Sequence, residues 1–397
     1  MRFLLLPLFL ALAACATAPR PGVVAGLAFT AAAEGQGFAR GPADPAMGRA
    51  ATLDDPVRVA SVSKLVVAIG VMKLVDQGRL GLDSDLSPLL GWPLRNPAFP
   101  DRPVTLAMLL SHTGSVRDHD DQYIVPLGAT VRAALDRPGS WDPAHAPGTY
   151  FTYANMNFPV IASAIERATG ERFDRWMRRE VLEPLSIDAC YNWATCSDPA
   201  IARAIVLTQG GKSVRDDLHG VRPACPVFTR DGDPCNLTTW KPGDNGALFA
   251  PQGGLRISVR GLARIGRLLL NEGELDGVRL LSPASVRTLL ANRWQYDGTN
   301  GETERGFYCA FGLATQSLAT PHPGCRDDPV GDRGRWIGHA GEAYGLRSGL
   351  WIDPVAKVGI AYVVTGLDAD PPGGRSEFKA AEEAAFRETA ALLSRAP

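Results

Sequence analysis

Between Pro56 and Leu80 the chain reads PVRVASVSKLVVAIGVMKLVDQGRL, and its apolar positions change period at one corner. Val57, Val59 and Val62 favour an extended chain, whereas Leu65, Val66, Ile69, Met72 and Val75 recur at the three-and-four spacing of a buried helical face. The pattern predicts a helix that starts at Ser61, with Lys64 one turn inside it. Before it, VVAGLAFTAA reads as a first strand and EGQGFARGPADPAMG as a polar, Gly-rich link. From Leu65 to about Leu135 the chain reads as helices separated by turns, and after Pro147-Gly148 a short extended piece leads into two amphipathic helices. Residues from about Cys190 to Asn245 read as loops. GLRISVRGLARIGRLLLNEG and SPASVRTLLANRW are again helical. The end changes character: GRWIGHAGEA, GLRSGLWIDP and AKVGIAYVVTG predict strands, with a tight turn at Asp353-Pro354, before a closing helix. This order predicts a sheet made from both chain ends, flanked by helices, with a mostly helical insertion over about 76–325.

Composition narrows the class. With 397 residues, 45% hydrophobic and 21% charged, the chain is globular, and its formal net charge of -1 gives no electrostatic case for a nucleic-acid partner. MRFLLLPLFLALAACATAPRPG has a charged start, a short apolar core and a small-residue cleavage site, which predicts export. Leu12-Ala13-Ala14-Cys15 resembles the bacterial lipoprotein signal, which implies acylation of Cys15 and a membrane anchor; Ala16 after it favours the outer membrane by the same analogy. The expected division is a signal over 1–15, a tether over 16–23 and one domain over 24–397. The remaining six cysteines, an even number in an exported chain, arrive as three close couples, and the expected bridges are Cys190–Cys196, Cys225–Cys235 and Cys309–Cys325. His219 and His322 lie near cysteines, but no Cys-x-x-Cys spacing supports zinc.

Residues three apart on a helix share a face, so the Ser61 hydroxyl and the Lys64 amine can meet. Ser61 as a simple helix cap is the competing reading. Ser-x-x-Lys alone is weak, since Ser376-Glu377-Phe378-Lys379 matches as well. Context separates the two: Lys379 falls in the charged closing helix, where solvation is expected, while Lys64 sits among apolar residues that would depress its pKa. Tyr153-Ala154-Asn155 is the single Tyr-x-Asn of the sequence, and of His112-Thr113-Gly114, His322-Pro323-Gly324 and His339-Ala340-Gly341 only the last opens the terminal strands.

In that order these motifs resemble the serine β-lactamase and penicillin-binding superfamily, its class C and esterase-like branch in particular. SVSKL, LLSHTG, PGTYFTYANMNFPVIASAIERATG, PQGGLRISVRGLARI and GHAGEAYGLRSGLWIDP carry the likeness over most of the chain from about Val24. The resemblance implies a β-lactamase/transpeptidase-like α/β fold and an exported serine hydrolase that cleaves an ester or amide through a Ser61 acyl-enzyme, with no metal or cofactor. Its neighbouring alternatives are a D-Ala-D-Ala carboxypeptidase or class C-like β-lactamase, and a non-catalytic module that binds cell-wall peptide or penicillin. The partners expected are a small-molecule or peptide substrate and, through Cys15, a membrane.

The same likeness assigns roles. Lys64 as neutral amine or Tyr153 as phenolate takes the Ser61 proton, and Tyr153 donates to the leaving group. Asn155 anchors Lys64, and His339 replaces the usual third-motif lysine, keeping a donor while mostly neutral near pH 7. Gly341 leads to Glu342, whose backbone N–H joins that of Ser61 as the oxyanion hole. Ala340 and Glu342 stand where penicillin-recognising members have a hydroxyl and a small side chain, which weakens carboxylate recognition. Arg347 either compensates or pairs with Glu342. The run Asp118-His119-Asp120-Asp121 reads as an exposed loop rather than a metal site, and Trp141, Trp193 and Trp336 are candidate pocket walls.

Overall fold

The structure is a computed structural model that describes residues 22–331 and 334–395. The leader, Cys15 and most of the tether lie outside the described residues. The main sheet takes strands β1 (Val24–Thr30), β2 (Glu34–Arg40), β3 (Trp294–Gln295), β4 (Ala310–Phe311), β5 (Gln316–Ser317), β6 (Ile337–Ala343), β7 (Leu346–Asp353) and β8 (Val358–Val364). They pair antiparallel in the order β3-β4-β5-β6-β7-β8-β1-β2. The two chain ends meet inside this sheet, with Val24 of β1 opposite Val364 of β8 and Thr30 opposite Val358. Between β7 and β8 the Asp353 carboxylate accepts from the N–H of Val355 and Ala356, which closes the expected turn.

Four longer helices matter for the site: α1 (Val62–Asp76), α2 (Asn157–Thr169), α3 (Val259–Leu270) and α4 (Ala380–Ala390). Strand alternation sorts the sheet's side chains onto two faces. Leu27, Phe29, Leu350, Ala361 and Val363 join the main core with α1 and α3, whereas Ala28, Trp351, Ile360, Tyr362 and Val364 pack on the other face against Ala385 and Phe386 of α4. Every residue of α1 from Val62 to Met72 is buried, as an all-round apolar helix must be. Lys64 is carried into the interior with it.

Some expectations change. Glu34–Arg40, read as a polar link, is the edge strand β2; main-chain pairing to β1 suffices for an edge, whose side chains need not be apolar. The insertion read as helical over about 76–325 contributes β3, β4 and β5 to the main sheet. Leu255–Ile257, read as helix, is a strand between Val57–Arg58 and Cys190–Tyr191; the helix waits until Ser258, whose hydroxyl accepts from Gly261 N–H. Lys379 lies before α4, not in it, and stays at the surface, its side chain 23% exposed and paired at 3.2 Å with the exposed Asp370. Ser376 of the same motif is tied to Glu383 by a hydrogen bond of 2.6 Å, so this second Ser-x-x-Lys is a helix-start device.

All three expected disulfides are present. Cys309–Cys325 spans 16 residues and closes the loop that carries β4 and β5. Replacing both cysteines by serine should cost about 3 kcal/mol in the chain-entropy account, read as a lower urea midpoint under oxidising conditions. An unchanged midpoint would mean that packing alone holds this loop.

Candidate active site

The corner read from sequence is built by the backbone. Ala60 adopts φ +44°, a left-handed conformation that a non-glycine residue takes only under tertiary constraint. That constraint is visible. Ser348 Oγ on β7 donates to Val59 O at 2.9 Å, and Ser63 Oγ donates to Ala60 O at 2.6 Å while accepting from Leu255 N–H at 3.1 Å. Ser61, which starts α1, makes no capping bond with its hydroxyl. The cap reading of Ser61 therefore fails. Its backbone N–H has no protein acceptor among the described residues.

Lys64 Nζ lies 3.0 Å from Ser61 Oγ, 2.8 Å from Asn155 Oδ1 and 2.8 Å from Gln252 O. Burial lowers its pKa to about 7; the negative charge of Asp118 opposes that shift and the positive charge of Arg58 adds to it. A neutral amine has two hydrogens and one lone pair. With two carbonyl oxygens taking the hydrogens, the lone pair is left for the serine hydroxyl.

The orientation of Asn155 decides this, and Asp118 fixes it. The Asp118 carboxylate accepts from Asn155 N–H at 2.8 Å, from Asn155 Nδ2 at 2.9 Å and from Met156 N–H at 2.9 Å. With its NH2 turned to Asp118, the amide must face Lys64 with its oxygen. Sequence reasoning weighed Asp118 only as a possible metal ligand. Among the described residues no group of His, Cys, Asp and Glu is arranged to hold a metal. Gln252 was also missed, since a backbone carbonyl carries no residue-type signal. Asp118→Ala should lower kcat by up to about 10²-fold through misplacement of Asn155 and Lys64, with KM for a small ester little changed. Equal losses in thermal stability and activity, rescued by cooling, would reduce Asp118 to a structural role.

Tyr153 is clamped between two rings: His112 stacks on it at 4.3 Å and Tyr308 at 4.7 Å between centroids. Its buried hydroxyl points toward those of Ser61 and Tyr308 without a well-formed hydrogen bond to either. Burial pushes its pKa up, so the phenol stays protonated. His112 is itself buried and accepts from Ala154 N–H at 3.0 Å, which places it as a support of the Tyr-x-Asn turn.

The third motif lies on β6. Gly341 has no room for a side chain: a Cβ there would sit 2.4 Å from Val59 O and 3.3 Å from Ser61 N. The strand thus runs directly beside the serine, and Glu342 follows. His339 departs from expectation. Its Nδ1 lies 2.6 Å from Ala340 O, a contact that requires the ring proton there, and burial with the charge of Lys64 drives its pKa down to about 3. The donor it was expected to offer is consumed by its neighbour, and buried Nε2 keeps a lone pair with no partner. Arg347 resolves toward pairing. It donates to Glu342 Oε1 at 2.6 Å and lies 3.9 Å from buried Glu382. Trp193 lines the cavity beside Ser61, whereas Trp141 donates to Leu135 O and Trp336 packs on Phe386.

The sheet with its flanking helices, and a serine, lysine and Tyr-x-Asn converging at the corner beside β6, define a β-lactamase/transpeptidase-like architecture. The chain belongs to the Beta-lactamase family, whose sequence model matches residues 16–385. It is 28% identical over 191 residues to the D-alanyl-D-alanine-carboxypeptidase/endopeptidase AmpH of Escherichia coli (strain K12), covering 46% of this chain and 47% of that protein. It is 28% identical over 268 residues to a lovastatin esterase of Penicillium rubens, covering 60% and 56% of the two chains. The chain thus spans about half the length of the curated relatives it matches. In three dimensions it is similar to the D-amino acid amidase of Ochrobactrum anthropi SV3 complexed with D-phenylalanine, with a TM-score of 0.66, 18% identity and 95% of each chain covered.

Proposed function

We propose that this protein is an exported serine hydrolase that cleaves an ester or amide bond through an acyl-enzyme on Ser61. The observation that carries this reading is the placement of Lys64, whose two carbonyl acceptors leave its lone pair for the Ser61 hydroxyl. In acylation Lys64 takes the Ser61 proton as Oγ bonds to the substrate carbonyl carbon, and the carbonyl oxygen becomes an alkoxide held by the N–H groups of Ser61 and Glu342. Collapse of that intermediate expels the leaving group, which takes a proton from Tyr153; Tyr153 is reprotonated from Lys64. Water then attacks the acyl ester by the same route. The lowered pKa of Lys64 and the raised pKa of Tyr153 favour the amine over a phenolate as base.

The domain extends from 24 to 397, after a signal over 1–15 and a tether over 16–23. Acylated Cys15 anchors it to the outer membrane, its three disulfides suiting an oxidising compartment. Small esters with no carboxylate at the third-motif corner are favoured over penicillins, because there Arg347 is engaged by Glu342 and Ala340 offers no hydroxyl. The relatives keep a carboxypeptidase reading in view. Treatment of the domain lacking the first residues to Cys15 with a fluorophosphonate and with labelled penicillin, followed by adduct mapping, tests both. Labelling of Ser61 by the first reagent alone supports the esterase-like reading, and labelling by penicillin supports the carboxypeptidase or β-lactamase one. Labelling at Ser376, or at no serine, would overturn the site.

A further inference from the structure

Ser61 stands between two cavities, one of about 830 Å³ and one of about 420 Å³, and both are also lined by Asn155 and Glu342. Their charges differ in how far the protein itself neutralises them. In the larger cavity, Arg256 gives Asp216 two hydrogen bonds, at 2.7 and 3.2 Å, and reaches Asn192 at 2.6 Å. Asp216 also accepts from Trp193 Nε1 at 2.9 Å. Asp217 pairs at 2.6 Å with His219, which Asp44 shares at 2.9 Å; Asp121 accepts from the Tyr123 hydroxyl at 2.9 Å and keeps its charge, and Glu342 is held by Arg347.

Two guanidinium groups are left over. Neither Arg58 nor Arg215 has a carboxylate within ion-pair distance among the described residues, and the Nε of each is buried without a hydrogen-bond partner. Both lie over the ring of Tyr344, at 5.0 and 4.8 Å from its centroid, and Arg215 donates to the Tyr344 hydroxyl at 2.9 Å. Tyr344 sits in the turn between β6 and β7, two residues after Glu342, with φ +52°. Arg58 lies three residues before Ser61, a reach of at most about 10 Å even for an extended chain. Two guanidinium groups held against one aromatic ring lie close together, and the fork of N–H donors on each matches a planar carboxylate.

We propose that Arg58 and Arg215, held on Tyr344, form an anion-binding subsite, so that the preferred substrates are esters or amides carrying a carboxylate in the part that enters the larger cavity. This deepens, and rests on, the serine hydrolase reading. It is separate from the third-motif corner, where Arg347 is already neutralised. Burial above all, then the positive charge of Arg256, pulls the pKa of Arg58 down to about 9, while the negative charge of Asp216 opposes that shift.

The test compares the 4-nitrophenyl monoester of glutaric acid with neutral 4-nitrophenyl butyrate. Wild type should hydrolyse the anionic ester with the higher kcat/KM. Arg215→Gln, on a surface hairpin, should reduce that value tenfold or more while leaving the neutral ester within about twofold, and Arg58→Gln, whose charge also acts on Lys64, should lower the anionic-to-neutral ratio of kcat/KM by as much. Loss on both esters alike, or no preference in the wild type, would overturn the subsite. Calorimetric titration of free glutarate into Ser61→Ala supplies a second readout: binding that disappears in the Ser61→Ala, Arg215→Gln double variant supports the subsite, and no binding counts against it. Inorganic phosphate in the same titration separates a carboxylate site from one for any oxyanion, and tighter binding of phosphate overturns the carboxylate assignment. Glutarate binding without fluorophosphonate labelling or ester hydrolysis would remove the hydrolase reading and leave the anion site standing.

Discussion

Replacing Lys64 by glutamine is expected to lower kcat/KM by about 10²- to 10⁴-fold, the range for loss of a positioned base, while the protein remains folded. Glutamine removes an ionisable group from a fully buried position and still offers N–H donors to Asn155 Oδ1 and Gln252 O. Wild-type activity should rise with pH and level off above about 7, where Lys64 loses its proton, and the variant should lack that inflection. The same group sets a stability signature. Its folded-state pKa lies below the ordinary 10.5, so between about 7 and 10.5 the unfolded chain holds a proton that the folded one has released. Folding stability from this group therefore grows as pH rises through that window and is lost as pH falls through 7. Urea midpoints of wild type and variant at pH 7 and pH 10 measure it. Fluorophosphonate labelling of the variant at the wild-type rate, with no change in pH profile, would show that another group takes the serine proton.

Gly341→Ala should reduce kcat by about 10²- to 10³-fold, the cost typical of losing an oxyanion donor. The added methyl meets a backbone oxygen, Val59 O, and the Ser348 hydroxyl, both at 2.4 Å. Neither is the loose end of a flexible side chain, because Ser348 Oγ is itself bonded to Val59 O. Relief requires β6 to move away from the serine turn, which separates the N–H of Glu342 from that of Ser61. Affinity for a boronate transition-state analogue should fall by a similar factor, with KM for a neutral ester little altered. Activity within threefold of wild type would mean that β6 does not supply the second donor.

The contrast between the two Ser-x-x-Lys motifs shows what a sequence can carry. Their spacing is identical, and only the apolar periodicity after Lys64 separates a buried amine from one outside the core. That periodicity is local, so it was readable, and it predicted α1 and the strands β1, β6, β7 and β8, whereas Tyr153, Asn155 and His339 were singled out by the resemblance of their motifs to the β-lactamase superfamily. The three disulfides were readable for the same reason, their partners lying 6, 10 and 16 residues apart. β2 was not readable, since an edge strand is specified by its neighbour's free main-chain groups rather than by its own side chains.

The amino-acid sequence by itself determined the helix and the terminal strands around the serine, because their periods act over a few residues, and its motifs resemble a known family whose order named the groups near it. Tertiary structure alone decided how those groups are aimed. Asp118 turns the Asn155 amide from 37 positions away, and Gln252 O meets Lys64 across 188. Arg347 goes to Glu342, His339 spends its proton on Ala340, and Arg58 and Arg215 are left without a carboxylate. Each of these outcomes is a competition among several polar groups for one partner. Its winner depends on distances set by packing of remote segments, which no local pattern encodes.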